Sequence, residues 1–250
     1  FMGWSTKPMQ SVSPQYEAEE KITVNGNVDL YAVVFNRTTE TDLTEDQLPQ
    51  VDIYKYKQVI FVGDSRTEFM ENVLTGMGES ATKNVKFVCS AGKGLDWFTT
   101  TGWAQLYSIV QHDSNSILSK KTAVIFNFGV NDLSKSADYA EYYNWIAPQL
   151  KSKGCELYFM SVNPVNRLML SNAGRADRSE AAVRSFNQYM KANLSSAYTY
   201  IDMYSYLKST GYSFASDHYG TGTVDDGLHY TTRTYKRIFA KCMDSLRVPA

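Results

Sequence analysis

One stretch decides the fold of this 250-residue sequence: Val59-Ile60-Phe61-Val62-Gly63-Asp64-Ser65-Arg66. Its first half is an apolar, β-branched run typical of a buried strand, and a helical pattern over Thr67–Leu74 follows at once. A strand that leads directly into a helix is the unit of a parallel sheet, which holds its ligands beyond the carboxyl ends of its strands. The stretch therefore predicts Ser65 at this edge, at the positive end of a helix, where a serine can act as a nucleophile.

A second interpretation of Ser65 is structural. Ser65 and Glu68 have the S-x-x-E spacing of a capping box, in which the serine only satisfies backbone donors at the start of a helix. The stretch alone leaves both interpretations open, so the decision depends on whether the chain supplies the other groups that acyl transfer requires.

Two later segments supply such groups. A second apolar strand pattern leads into Gly129-Val130-Asn131-Asp132, which can bring an amide to the same sheet edge, although Gly-x-Asn-Asp is also an ordinary turn. Near the C-terminus, Asp225–Tyr230 precedes a helical pattern over 231–246. With a spacing of three on one short loop, Asp226 can hydrogen-bond one imidazole nitrogen of His229 while the other nitrogen faces a serine.

In this order the motifs resemble those of the SGNH (GDSL-type) hydrolase family. The matching blocks are Gly63-Asp64-Ser65, Gly94 within Ser90–Gly94, Gly129–Asp132 and Asp226–His229. The resemblance covers roughly residues 56–250 and implies a flavodoxin-like three-layer α/β/α fold with a parallel sheet. Periodicity supports this fold independently, because short apolar runs alternate with longer amphipathic stretches, as in a parallel sheet with helical connections. The apolar runs lie near residues 58–63, 85–89, 122–128, 155–162 and 198–202.

The resemblance implies a role for each matched residue. Ser65 is the expected nucleophile, His229 its general base and Asp226 the group that orients the imidazole. The expected oxyanion donors are the backbone N–H groups of Ser65 and Gly94 and the side-chain amide of Asn131. No cofactor and no metal is expected.

Several residues leave alternatives open. Gly92 is the alternative to Gly94, which is chosen for its distance from the preceding strand. Asp64 and Asp132 are expected to accept hydrogen bonds from backbone donors around their own turns rather than to act as acids or bases.

The chain has two histidines besides His229. His112 lies in a polar stretch typical of a helix end, and His218 forms a rival pair with Asp217. We prefer His229 because its spacing from Asp226 matches the family block and because it leads directly into the last helix.

Arg66 stands where a leucine gives the family its GDSL name. It is either a surface charge paired with Glu68 or Glu71, or a substrate-binding group at the entrance of the site. The second interpretation predicts a short acyl group on a polar alcohol, because an unpaired charge is costly to bury against hydrocarbon and a guanidinium suits oxygen-rich groups.

The N-terminal residues form a separate unit in this interpretation. The start Phe1-Met2-Gly3-Trp4 and the end Leu30-Tyr31-Ala32-Val33 resemble the second half of a Listeria-Bacteroides type β repeat, found in bacterial surface proteins. We expect a partial repeat over 1–35, a polar linker over 36–54 and the hydrolase domain over 55–250, in a fragment of a longer extracellular or cell-surface product. The alternative is a β-hairpin that belongs to the hydrolase domain itself.

Composition excludes other function classes. A net charge of −1 provides no basic footprint for nucleic acid, and no apolar run approaches the length of a membrane span. The sequence therefore predicts a serine esterase acting on a small-molecule or polysaccharide ester, with an acetyl group on a carbohydrate as one candidate. An O-acyltransferase with the same triad is the alternative, and a non-catalytic carbohydrate-binding module is disfavoured by the complete Ser, Asp, His and Asn set.

Overall fold

A central sheet and two helical layers make up the computed structural model, which describes residues 1–10, 12–52, 55–113, 121–172, 177–216 and 225–246. The strands are β1 Gly3–Ser5, β2 Tyr31–Val33, β3 Tyr56–Gly63, β4 Val85–Cys89, β5 Lys121–Asn127, β6 Cys155–Met160, β7 Tyr198–Ile201, β8 Phe214–Ser216 and β9 Asp225–Tyr230. The α-helices are α1 Ser65–Thr75, α2 Glu79–Thr82, α3 Leu95–Trp97, α4 Trp103–Asp113, α5 Ser136–Lys151, α6 Arg167–Asn172, α7 Glu180–Asn193, α8 Met203–Thr210 and α9 Thr232–Ser245.

The central sheet has five parallel strands in the order β4-β3-β5-β6-β7. Counted along the chain from β3, this is the order 2-1-3-4-5 of the flavodoxin-like fold. In the register of the sheet Gly63 lies opposite both Cys89 and Asn127, so three neighbouring strands end at one level. The predicted fold is confirmed, and the five predicted strands agree with β3 to β7 within two residues at each end.

Alternate residues of each strand enter two separate cores, as the period of two requires. On β3, Ile60 and Val62 pack beneath α4, α5 and α7, whereas Val59 and Phe61 pack beneath α1, α8 and α9. All four side chains are fully buried. Because both faces of the sheet are covered, its inner strands contain long buried apolar runs, 59–62 on β3, 123–126 on β5 and 157–160 on β6.

The N-terminal residues pack against this domain. β1 and β2 pair antiparallel, and Met2 and Val33 are buried in the same core as α9. The buried Lys208 on α8 donates a hydrogen bond to the carbonyl oxygen of Met2 at 2.5 Å. A small N-terminal β segment was expected, and it is present, although only 3–5 and 31–33 of residues 1–35 are strand.

The segment expected to be a linker is attached to α9. Glu40 is buried and forms an ion pair of 3.0 Å with the buried Arg237, and Leu48 and Val51 lie in the core. The segment that the sequence describes as a polar linker thus contributes one buried ion pair and two apolar side chains to the packing of the domain. Within the described part of the chain no helix is both long and apolar enough to cross a membrane.

Candidate active site

Ser65 is the first residue of α1 and lies directly after β3. The helix is capped by Asp64, whose carboxylate accepts the backbone N–H of Arg66 at 3.0 Å. Glu68 accepts a hydrogen bond from the backbone N–H of Ala91, in the loop after β4, at 2.7 Å. Ser65 is therefore not part of a capping box, and its hydroxyl is left for another partner.

That partner is His229. The hydroxyl oxygen of Ser65 and Nε2 of His229 are 2.8 Å apart, and Nδ1 of His229 is 2.5 Å from Oδ2 of Asp226. The ring of Phe69 packs on the imidazole with 4.6 Å between the centroids. The structure thus brings together the three residues expected to form a triad, and His229 is 3% exposed, so the hydrogen-bond chain is shielded from water.

A glycine makes the contact between Asp226 and His229 possible. The two residues lie on β9, not on the loop that was expected, and three residues along an ordinary strand place side chains on opposite faces. Gly227 has φ of 70°, a left-handed conformation that favours glycine. The chain turns there, so Oδ1 of Asp226 accepts the N–H of Leu228 at 2.8 Å and that of His229 at 2.7 Å.

The same hydrogen bonds set the charge of Asp226. Burial alone would raise the pKa of this carboxyl, but the hydrogen bonds from the His229 ring, from the His229 backbone and from the Leu228 backbone outweigh it and hold the pKa below its usual value. Asp226 is therefore ionised at neutral pH and can stabilise a positive charge on the imidazole.

The other histidines are less well placed or not described. His112 lies near the end of α4, which leads toward the start of β5 and so toward the opposite edge of the sheet. His218 lies outside the described residues.

Gly94 and Asn131 lie in the loops that follow β4 and β5, and hydrogen bonds join these two loops. The amide nitrogen of Asn131 donates to the carbonyl oxygen of Lys93 at 2.7 Å, and Oδ2 of Asp132 accepts the N–H of Leu95 at 2.9 Å. These two bonds tie the Gly94 loop to the segment after β5. An asparagine amide has a second N–H, so this bond does not exhaust Asn131 as a donor.

The two extra aspartates act as acceptors. Burial raises the pKa of Asp64 to about 6, although its hydrogen bond to the Arg66 backbone acts in the other direction. Asp132 also accepts the hydroxyl of Tyr139 at 2.8 Å. Asp132 was expected to accept hydrogen bonds from its own turn, but its side chain accepts them from Leu95 in the Gly94 loop and from Tyr139 on α5. The Asp132 side chain therefore connects these two segments.

Both expectations for Arg66 are corrected. Its side chain is 2% exposed, so it neither lies at the surface nor lines an entrance. Nε donates to the carbonyl oxygen of Leu228 at 2.9 Å, Nη1 to that of Asn163 at 2.9 Å and Nη2 to that of Pro164 at 2.8 Å. The guanidinium also lies 5.1 Å from the centroid of the Tyr230 ring.

Asn163 and Pro164 were missed in the sequence. They follow β6, at the sheet edge that also carries Ser65, and the hydroxyl of Tyr230 donates to the Pro164 carbonyl oxygen at 2.5 Å. An Asn-Pro dipeptide directly after an apolar strand is a recognisable turn. That pattern places the turn at the edge, but nothing in it indicates a bond to Arg66.

A cavity of about 500 Å³ lies between the N-terminal segment and the residues that follow β6. Phe1, Trp4 and Glu19 of the N-terminal segment form one side, and residues 165–167 form the other. The N–H of Asn166 donates to the carbonyl oxygen of Gly227 at 2.8 Å, so one wall rests on β9. Among the described residues there is no group of histidines, cysteines and acids that could hold a metal ion.

Comparisons with known proteins identify the family. The profile of the GDSL-like lipase/acylhydrolase family matches residues 59–242, which span β3 to α9. No curated protein matches the chain.

Solved structures share the fold at low sequence identity. A proposed acylhydrolase from Bacteroides fragilis is 16% identical, with a TM-score of 0.52 over 80% of this chain and 92% of its own. A proposed SGNH hydrolase from Slackia heliotrinireducens is 13% identical, with a TM-score of 0.51 over 77% of this chain and 100% of its own. An acetyl xylan esterase is 12% identical, with a TM-score of 0.50 over 76% of this chain and 100% of its own. By its family profile, and with a fold in agreement, this chain belongs to the GDSL-like lipase/acylhydrolase family, the SGNH hydrolases, and is a serine ester hydrolase.

Proposed function

We propose that this protein hydrolyses a short acyl ester of a polar alcohol through a triad of Ser65, His229 and Asp226. The observation that carries the proposal is the hydrogen-bond chain of 2.8 Å from Ser65 to His229 and 2.5 Å from His229 to Asp226. A hydroxyl is a weak nucleophile on its own, and an adjacent base that is itself oriented by a third group activates it.

The reaction proceeds in two halves. Ser65 attacks the ester carbonyl while Nε2 of His229 takes the hydroxyl proton, and Asp226 stabilises the resulting imidazolium. His229 then returns the proton to the departing alcohol oxygen. In the second half His229 deprotonates a water molecule, which attacks the acyl-Ser65 ester. The bond between the acyl carbon and the Ser65 oxygen then breaks, His229 returns the proton to that oxygen, and the acid is released.

The carbonyl oxygen becomes negative in both halves and needs donors that are already in place. The N–H of Ser65 is in the first turn of α1, where backbone donors lie outside the helical ladder and the helix dipole favours negative charge. The N–H of Gly94 and the second amide hydrogen of Asn131 complete the set.

The polarity of the surroundings supports a polar alcohol. The side chains described next to Gly94 and Asn131 include the exposed Lys93 and the ion pair between Asp96 and Lys135 at 3.0 Å. Such a rim suits hydroxyl-rich groups such as carbohydrate better than hydrocarbon. The fold accommodates such chemistry, since one structure that shares it is an acetyl xylan esterase.

Two further parts of the proposal concern the acyl acceptor and the location of the protein. Transfer of the acyl group to a sugar hydroxyl would use the same first half-reaction, with the sugar in place of water. The extracellular or cell-surface location is proposed from the resemblance of residues 1–35 to a surface repeat.

The test is hydrolysis of p-nitrophenyl esters from acetate to palmitate and of acetylated oligosaccharides. Ser65→Ala should lower kcat by a factor on the order of a thousand or more, and Ser205→Ala, at an exposed serine on α8, should not. Free acid released without an added sugar acceptor identifies a hydrolase. Labelling of a residue other than Ser65 by a serine-directed fluorophosphonate, or rates that rise with chain length, would contradict the proposal.

A further inference from the structure

We propose that Arg66 is a positioning residue, which holds Ser65 and His229 at their reactive separation by tying the start of α1 to β9. The inference rests on the triad of the proposed function and concerns a residue that contacts neither substrate nor reacting atoms. Arg66 follows the nucleophile directly, and its Nε bonds the carbonyl oxygen of Leu228, which directly precedes the base.

The other two bonds anchor this tie to a third segment. Nη1 and Nη2 donate to the carbonyl oxygens of Asn163 and Pro164 in the turn after β6. Tyr230, the residue after the base, donates to the same Pro164 oxygen and presents its ring to the guanidinium. The residues on both sides of His229 are thus held by Arg66 or by its partners.

The partners explain why an arginine stands here. Three carbonyl oxygens from two separate segments surround one buried side chain, and each hydrogen bond to the cation is charge-assisted. A guanidinium offers five donors in a rigid planar fork, whereas a lysine ammonium is a point charge on a flexible stem. A leucine at this position would leave the carbonyl oxygens of Leu228, Asn163 and Pro164 without this donor.

The tie matters because β9 lacks the long backbone ladder that holds the strands of the central sheet. β9 is not a strand of the central sheet, and its ladder is formed with the three-residue β8 in a two-stranded sheet with an irregular register. Without Arg66, Leu228 loses the bond that fixes its carbonyl, and the imidazole can drift from Ser65. A misplacement of about 1 Å in a reacting group can cost on the order of a hundredfold in rate.

The experiment measures the triad without knowledge of the natural substrate. The full chain and its variants are titrated with a fluorophosphonate, which gives the concentration of reactive sites and the second-order rate constant for labelling of Ser65. The kcat and KM for p-nitrophenyl acetate are measured in parallel, and kcat is expressed per site that the fluorophosphonate labels. Arg66→Met should lower the labelling rate and kcat by about 30-fold to 300-fold, with KM changed by less than about threefold. Arg66→Lys should recover part of this loss.

Two further variants separate positioning from stability. Arg237→Met removes a buried arginine that also bonds a backbone carbonyl, that of Gly211, and whose hydrogen bonds within the described part of the chain involve no triad residue. It should lower Tm while leaving kcat per labelled site within about threefold. Tyr230→Phe keeps the ring and loses only the bond to Pro164, so it should fold and lower kcat less than Arg66→Met does.

Each outcome is decisive. If the wild-type chain is not labelled at all, the proposed function fails. If the wild-type chain is labelled, and both Arg66→Lys and Arg66→Met have the wild-type labelling rate and kcat, then Arg66 does not position the triad. A change in KM alone would assign Arg66 to substrate binding, and a loss of labelled sites at constant kcat per site would make its role purely structural. If Arg66→Met does not fold, unchanged rates in both Arg66→Lys and Tyr230→Phe would overturn the proposal.

Discussion

Replacement of Gly94 by alanine tests the oxyanion donor that is hardest to assign from sequence. A Cβ on Gly94 would lie 2.7 Å from Cγ and 2.9 Å from Oδ1 of Asp132. Real Cβ atoms essentially never approach another heavy atom below 3.0 Å. The Gly94 backbone and the carboxylate of Asp132 must therefore separate by roughly 1 Å, the scale of misplacement that costs about a hundredfold in rate.

Asp132 cannot yield easily, because both of its oxygens are held. Oδ2 accepts the N–H of Leu95 at 2.9 Å and Oδ1 the hydroxyl of Tyr139 at 2.8 Å. Hydrogen bonds to a charged group contribute about 1.5–3 kcal/mol each, so the exposed loop is expected to move instead. Its N–H then leaves the oxyanion, and loss of one such donor costs about a hundredfold to a thousandfold in kcat.

The assay compares kcat, KM and Tm of Gly94→Ala and Gly92→Ala with an acetyl ester. Gly94→Ala should lower kcat by about a hundredfold or more and destabilise by about 1–3 kcal/mol through overpacking. Gly92 is the matched control, because its φ is 69° and a Cβ there meets nothing within 4 Å. Its replacement should cost about 1–2 kcal/mol of backbone strain and leave kcat within a few-fold.

Two results would refute this reasoning. Unchanged kcat in Gly94→Ala would show that the N–H of Gly94 does not bind the oxyanion. A larger loss of kcat in Gly92→Ala than in Gly94→Ala would assign the donor to Gly92, the alternative that the sequence leaves open.

Three further predictions concern other groups. Asn131→Ala should lower kcat by about a hundredfold to a thousandfold with little change in KM. The control Asn144→Ala, which also removes an amide bonded to a backbone carbonyl, should leave kcat unchanged. A lower Tm with an unchanged kcat in Asn131→Ala would indicate that Asn131 only stabilises its turn. Glu40→Ala should destabilise by about 3–5 kcal/mol, because it leaves Arg237 buried without its ion pair, and an unchanged urea midpoint would show that residues 36–52 do not stabilise the domain. Glu156→Gln should flatten the acid side of the stability profile, measured as urea midpoints from pH 7 to pH 3.

The sign of the Glu156 effect follows from its surroundings. Burial acts to raise its pKa, but hydrogen bonds from Lys121 and Tyr56 and the charge of Lys55 lower it to about 2. A carboxyl whose folded pKa is depressed contributes stability above its unfolded value near 4.5, and that contribution is lost as pH falls from there toward 2. If Glu156→Gln and the wild type lose equal stability between pH 5 and pH 3, these bonds are not responsible.

Much of the fold can be predicted from the sequence because its determinants are local. The inner strands β3, β5 and β6 contain long apolar runs, since both faces of the sheet are covered there by helices, whereas the edge strands β4 and β7 carry the exposed Lys86 and Thr199. The helix after β3 is likewise indicated by its pattern from Thr67 onward. The order of the family blocks then points to Ser65, Asn131, Asp226 and His229 without any coordinates.

Contacts between distant segments are not visible in this way. The polar stretch 36–54 resembles a linker in composition, and only the position of Arg237 on α9 shows that Glu40 has a buried partner. A loop was expected at Asp226, but this residue lies on a strand. That strand forms by pairing with β8, which lies earlier in the chain at Phe214–Ser216 and is not visible in the local pattern. In both cases the local sequence indicates the character of the segment but not the distant residues that contact it.

By itself, then, the sequence determined the sheet, the family and the meeting of Ser65, His229 and Asp226, because strand periodicity, turn dipeptides and the family blocks are each a few residues long. The tertiary structure alone decided the place of Arg66. Its partners at Asn163 and Leu228 are 97 and 162 residues away, and a guanidinium beside a nucleophile suits an entrance as well as an interior. Only the convergence of three backbone carbonyl oxygens on one buried point makes the interior the stable position for this charge.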